Sequence, residues 1–199
     1  MKRNRAISWL LDRVPSVQVL AFFCVLLVII NLILVGLIAK DRAEKRFLKD
    51  IEVYVDSSCE EFGVPKALVF AVIKAESNFD RHARSTADAR GLMQITEVAL
   101  LDINRMLSEE YTITQMYDPA INIRCGVAYL SILCQKYKSY NTALAAYNAG
   151  QGNVDNWLYD SRYSHDRKQL YHIPFKETAN YVKKVNHYYQ EYQKQYGEN

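Results

Sequence analysis

The chain opens with one long apolar block and then alternates helix-periodic apolar stretches with polar loops. Val17 to Ala39 is apolar apart from Gln18, Asn31 and Gly36. As a helix rising about 1.5 Å per residue it spans roughly 35 Å, enough for a bilayer core of about 30 Å. The competing reading is a cleavable signal peptide, whose apolar region usually runs about 7–15 residues with small residues before the cut. This run is longer, and Leu37 is a poor small residue ahead of Ala39, so an uncleaved anchor is favoured. Residues 40–49 read as a short charged linker that runs into the next helix. Phe47, Ile51, Tyr54, Val55 and Phe62 recur at helical spacing, and Gly63 and Pro65 close that helix and open another.

The second helix is the apolar run from Ala67 ending at Glu76. Residues 78–90 are polar and loop-like. Thr96 can cap a helix through about Leu107. Asp118-Pro119 is a helix start, a capping residue followed by Pro at the first helical position, and predicts a helix to about Tyr137. Thr142 to Asn148 reads as a short helix ended by Gly150, with one more turn at Asn153 to Leu158. After a polar, aromatic loop, Pro174 opens a long last helix with Tyr181, Val185, Tyr188 and Tyr192 on one face. Period-two alternation is nearly absent, so the expected fold is all-α.

Charge divides along the same line. Residues 1–49 hold 9 Lys/Arg against 3 Asp/Glu, and residues 50–199 hold 16 against 19. The basic excess surrounds the apolar block and the remainder is mildly acidic, which removes the usual electrostatic footprint of nucleic-acid binding. Cationic residues lie on both sides of the block: Lys2, Arg3, Arg5 and Arg13 before it, Lys40, Arg42, Lys45, Arg46 and Lys49 after it. The positive-inside rule therefore does not orient it.

Cys24 lies in the apolar block, behind Phe22 and Phe23, unlike a lipid-attachment site. Cys125 and Cys134 are nine residues apart on one predicted helix and face opposite sides, so they cannot pair with each other. A bridge from Cys59 to one of them is possible; buried free thiols are favoured. His82, His165, His172 and His187 show no metal spacing and read as surface or packing residues. No metal and no cofactor is expected. Tyr159, Tyr163 and Tyr171 cover the core under a long loop or stack on a ligand.

Glu76 is the leading candidate for chemistry. A carboxyl at the end of an oily helix is costly to ionise, and desolvation raises its pKa until it can hold a proton near neutral pH. A general acid needs that property.

Four motifs in order carry a resemblance: Glu76-Ser77, Gly91-Leu92-Met93-Gln94, Ala146-Tyr147-Asn148-Ala149-Gly150, and the run Glu177 to Val185. With the stretch Asp118 to Leu130, they resemble the soluble-lytic-transglycosylase family of peptidoglycan-cleaving enzymes over roughly residues 50–192. The resemblance implies a lysozyme-like α fold with a sugar-binding cleft. It implies cleavage of the β-1,4 bond between N-acetylmuramic acid and N-acetylglucosamine, with a 1,6-anhydro product and no water consumed. Glu76 would be acid and then base. Tyr181 matches a tyrosine whose hydroxyl lies close to the catalytic carboxylate. Asn148 matches a substrate-binding asparagine, Met93 and Gln94 match residues lining the cleft, Tyr147 walls the cleft or packs, and Ser85 matches a substrate-contacting serine. Ser77 supports the helix end.

Asp88 departs from the family pattern, which has Gly there. Asp tolerates such a turn. Alternatively, Asp88 pointing into the cleft would orient water and make the enzyme a hydrolytic muramidase resembling goose-type lysozymes. A non-catalytic wall-binding protein is the third reading, opposed by the intact Glu76, Gln94, Asn148 and Tyr181 set. The expected organisation is a cytoplasmic tail over 1–16, a single-pass anchor over 17–39, the linker over 40–49, and an extracytoplasmic catalytic domain over 50–199. Its expected partners are peptidoglycan glycan strands and the membrane.

Overall fold

A computed structural model of the chain describes residues 17–197. The chain divides into two units, Met1–Lys49 and Asp50–Asn199. The expected tail over residues 1–16 lies outside the described residues.

Helix α1 runs Val17–Phe62. Its stretch in the first unit exposes its apolar side chains, among them Phe22, Leu32 and Val35, and α1 is long and apolar enough to cross a membrane by length and composition. The residues of the expected linker over 40–49 are helical without a break. Ala43, Glu44, Lys45, Arg46 and Leu48 are strong helix formers. Lys45 adds an i,i+4 ion pair to Asp41 at 2.8 Å.

The second unit is all-α. Among the described residues only isolated bridges occur, Arg84 with Arg90 and Arg90 with Ile95. Its helices are the end of α1, α2 (Lys66–Glu76), α3 (Glu97–Leu107), a 3-10 turn at Ile113–Tyr117, α4 (Pro119–Tyr137), α5 (Tyr140–Ala149), α6 (Gln151–Tyr159) and α7 (Lys176–Tyr196). Helix α2 is apolar around its circumference, and Ala67 through Ile73 are all buried, with Ala75. A helix without a polar face belongs in a core. Each large side chain among these contributes about 1.5–3 kcal/mol by leaving water. The most extensive helix pairing in the second unit is α2 against α7. Phe70 meets the rings of Tyr192 and Tyr196 at 5.5 and 5.2 Å. Lys66 ties three segments, pairing with Glu52 at 2.9 Å and Asp56 at 2.7 Å and lying 4.6 Å from the Tyr196 ring.

The caps explain the element boundaries. Thr96 accepts from the Ala99 N–H at the start of α3, and Asp118 accepts from Ala120 and Ile121 at the start of α4, which satisfies otherwise orphaned donors. The last helix begins at Lys176 with Phe175 as its cap, two residues beyond Pro174. Cys125 and Cys134 are thiols whose pKa values burial pushes up to about 12 and about 11.

Candidate active site

Glu76 is the last residue of α2. The chain then turns sharply, with Asn78 and Phe79 both left-handed at φ 51° and 67°. A bulky residue at positive φ is strained, and here Phe79 is held by its ring 6.2 Å from Phe70. Ser77 Oγ donates to the Ile73 carbonyl at 3.3 Å, supporting the helix end. The Glu76 side chain is half-buried, but the protein crowded around its carboxyl raises the pKa to about 7. Burial is the main cause; Tyr181 and the positive charge of Lys184 oppose it.

Tyr181, on α7, sits against that carboxyl. Its hydroxyl is enclosed and makes no hydrogen bond of ordinary geometry, although it interacts with Glu76 strongly enough to favour the carboxylate. We take the pair to be close but poorly aligned, as catalytic contacts often are without substrate. Tyr147 also couples electrostatically to Glu76, and burial drives the phenol pKa of both tyrosines well above the ordinary value. Lys184, one turn beyond Tyr181, donates to the Ala75 carbonyl at 2.7 Å. That bond caps the end of α2 and brings a cation beside the carboxyl.

A groove of about 410 Å³ runs between the start of α3 and the α5–α6 junction. Gln94, Tyr147 and Asn148 line it, together with Tyr129, Asp102 and Gln151. Tyr147 joins the two parts of the site, since it lines the groove and also neighbours Glu76. Its hydroxyl donates to the Met93 carbonyl at 2.7 Å, and its ring lies 5.5 Å from that of Tyr129. Gln94 is left-handed at φ 50°. Its Nε2 donates to the carbonyls of Gly91 at 2.9 Å and Ala83 at 3.2 Å, leaving Oε1 to accept from a ligand. Asn148 Oδ1 accepts the Thr178 hydroxyl at 2.8 Å, leaving its amide NH₂ to donate.

The structure separates the other expected residues from this groove. Met93 is fully buried, and its Sδ would stand 2.4 Å from a Cβ added at Gly126. It is core filler under the groove rather than a surface for sugar, because the missing side chain at Gly126 makes room for it. Ser85 is exposed and outside the groove wall; its Oγ accepts from the Ala89 N–H at 3.1 Å, which fixes a turn. Asp88 is left-handed at φ 59°. Its carboxylate is held by Arg84 and, at 2.9 Å, by Arg90. The two guanidiniums hold it below the usual carboxylate range, so this acid is engaged in a surface clip and the water-orienting reading loses its support.

Two contributors escape sequence reasoning. Asn122 is fully buried and pins the Gly91–Gln94 turn: it accepts from Met93 N–H at 2.8 Å and donates to the carbonyls of Arg90 and Met116 at 2.9 Å each. Gly91, at φ 76°, leaves no space for a side chain, since a Cβ would meet the Met116 carbonyl at 2.1 Å. Lys184 is the other, and its only signal is a place three residues after Tyr181 on the same helix. The four histidines are exposed, and His165 stacks on Tyr171 at 4.0 Å. Among the described residues no three His, Cys, Asp or Glu converge to hold a metal ion.

Comparisons with known proteins identify the family. A model of the transglycosylase SLT domain matches residues 54–170. A membrane-bound lytic murein transglycosylase C from Yersinia enterocolitica is 37% identical over 112 residues, covering 50% of this chain and 31% of the relative. The soluble lytic murein transglycosylase of Escherichia coli is 35% identical over 126 residues, covering 61% of this chain and 20% of the relative. An inactive glutamate-to-glutamine mutant of lytic transglycosylase Slt from Pseudomonas aeruginosa superposes with a TM-score of 0.63 at 31% identity. That match covers 73% of this chain and 24% of Slt. The chain thus spans a third or less of the length of each. It belongs to the transglycosylase SLT domain family, with that family's lysozyme-like, all-α fold.

Proposed function

We propose that this chain is a membrane-anchored lytic transglycosylase acting on peptidoglycan glycan strands. The observation that carries this reading is Glu76: one recessed carboxyl with its pKa raised to about 7, beside Tyr181 and Tyr147. At neutral pH it is present in both protonation states, as a group that must first give and then take a proton needs to be.

The chemistry needs only that one carboxyl. Protonated Glu76 donates to the glycosidic oxygen as the bond to the muramic anomeric carbon breaks, and the N-acetylglucosamine side leaves as an alcohol. The muramic acetamido group stabilises the cation. The Glu76 carboxylate then takes the proton from the muramic 6-hydroxyl as its oxygen bonds to the anomeric carbon. The 1,6-anhydro ring closes, Glu76 regains its proton and no water is consumed. Glycosidases that use water normally need a second carboxylate, and the candidate offered by the sequence, Asp88, is engaged by Arg84 and Arg90. Gln94 Oε1 and the Asn148 amide are the groove's polar handles for the sugar amides and hydroxyls.

The apolar length of α1 and the membrane-bound relative support an anchor. Substrate in the wall requires the second unit outside the cell and the N-terminus inside, with the chain crossing once. Mass spectrometry of peptidoglycan digested by the purified full chain tests the reading. Anhydromuramic ends are the expected product; reducing muramic ends would mean hydrolysis and overturn it.

A further inference from the structure

A second cavity, of about 540 Å³, opens in the same unit between the C-terminal ends of α4 and α6 and the loop that follows α6. Four cationic residues line it, Lys136, Lys138, Arg167 and Lys168, with Asp155 as the acid among them. Asp155 is already committed, accepting from Lys136 at 2.8 Å and from the Tyr137 hydroxyl at 2.8 Å. Lys138, Arg167 and Lys168 make no ion pair among the described residues. Three unpaired cations around one hollow stand out on a stretch, residues 50–199, that holds 16 Lys/Arg against 19 Asp/Glu.

The arrangement is built rather than incidental. Asp166 is turned into its own loop, its Oδ1 accepting from the N–H groups of Lys168 at 2.8 Å and Gln169 at 3.0 Å. Buried Ser164 donates to the Gln169 carbonyl at 2.8 Å and accepts from the Arg167 N–H at 3.0 Å. Arg167, left-handed at φ 58°, is carried over the face of Tyr159, 5.6 Å from the ring. Tyr159 is 75% exposed. The loop thus spends its own acid on its backbone and presents two cations, one of them laid over the exposed Tyr159 at the end of α6.

The cavity also borders the groove. Lys136, in the cavity wall, donates to Gln151 Oε1 at 3.0 Å, and Gln151 lines the groove. Gln151 and Asp155 are one turn apart on α6, about 6 Å along the axis. The groove and the cationic hollow are thus joined through Lys136 and Gln151, so one branched polymer can span both.

We propose that this hollow binds the carboxylates of the stem peptide carried by the muramic residues, a second contact that favours peptide-bearing strands over bare glycan. This rests on the peptidoglycan reading above. Exposed charge pairs are individually weak, about 0.2–1 kcal/mol each and screened by salt, so the site adds selectivity rather than bulk affinity.

The test uses the purified full chain and its Arg167→Asn, Lys168→Gln double variant. Asn suits the left-handed position, and equal melting temperatures check the fold. Lys138→Gln, on the opposite wall, gives an independent second variant. Substrates are peptidoglycan stripped of phosphate polymers by acid, the same material after an amidase has removed its stem peptides, and unstripped wall. Cleavage and co-sedimentation are both read. The expected result is a loss in kcat/KM and in binding on peptide-bearing strands at low salt, about threefold to tenfold in the double variant and about twofold to fivefold in Lys138→Gln, with no change on bare glycan. Equal loss on both substrates, or no loss on either, overturns the site. Loss seen only with unstripped wall assigns the hollow to a phosphate polymer and overturns the stem-peptide assignment. Wild-type protein that neither cleaves nor sediments with any of them overturns the transglycosylase reading itself, an outcome distinct from the others.

Discussion

Glu76→Gln is expected to lower the rate of strand cleavage by about 10²–10⁴-fold or more while the protein stays folded. Each proton-transfer role is worth about that much, and Glu76 fills both. Gln keeps the shape of the acid and can neither donate nor accept the moving proton. The substitution also removes an ionisable group from a crowded place, so the melting temperature should not fall. Turnover of purified peptidoglycan, with thermal unfolding as the control, checks both halves. A variant that cleaves at the wild-type rate would move the acid to another residue.

The second large effect is on stability. Asn122→Ala removes three hydrogen bonds around one fully buried side chain, taking their side-chain partner from Met93 N–H and the Met116 carbonyl, while the Arg90 carbonyl keeps the Ile95 N–H at 3.1 Å. Unpaired buried groups cost about 1–3 kcal/mol each, so with two such groups the loss should be about 2 kcal/mol or more, read from the shift of the urea midpoint at unchanged slope. Activity should fall with it. The Asn122 amide holds the turn that places Gln94 in the groove, and Tyr147 hangs its hydroxyl on the Met93 carbonyl of that turn. A loss below about 1 kcal/mol would mean that water or a shifted backbone replaces the amide.

The fold was largely legible because its signals are local. Thr96 and Asp118-Pro119 mark helix starts through side chains that bond neighbouring N–H groups, and the oily run before Glu76 can only be a buried helix. For the linker over 40–49 charge alone says little about conformation, and the helix there is supported by Asp41 and Lys45 at helical spacing. Within the site, Gln94 comes from one motif and Tyr147 and Asn148 from another, and the fold brings all three to one groove. Met93 was misplaced because a motif gives neighbours in sequence and not the direction of a side chain. Only the space left by Gly126 shows that it points inward. Asn122 and Lys184 were missed for a related reason. Each acts on residues far along the chain, Asn122 on Met93 and Lys184 on Ala75, and such contacts leave no local pattern.

The proton affinity of Glu76 decides the central point. Its pKa is raised from 4.5 to about 7, so the folded chain holds a proton that the unfolded chain releases. Stability from this group is therefore present below pH 4.5 and is lost as pH rises towards 7, at up to about 1.4 kcal/mol per unit. Above about pH 7 the acid form, and with it the first proton transfer, declines. Carbon-13 NMR of the full chain with labelled glutamate carboxyls, titrated beside Glu76→Gln to assign the resonance, measures this directly. A midpoint near 7 is expected; a midpoint near 4.5 would mean an ordinary solvated carboxylate and would contradict Glu76 as the proton carrier.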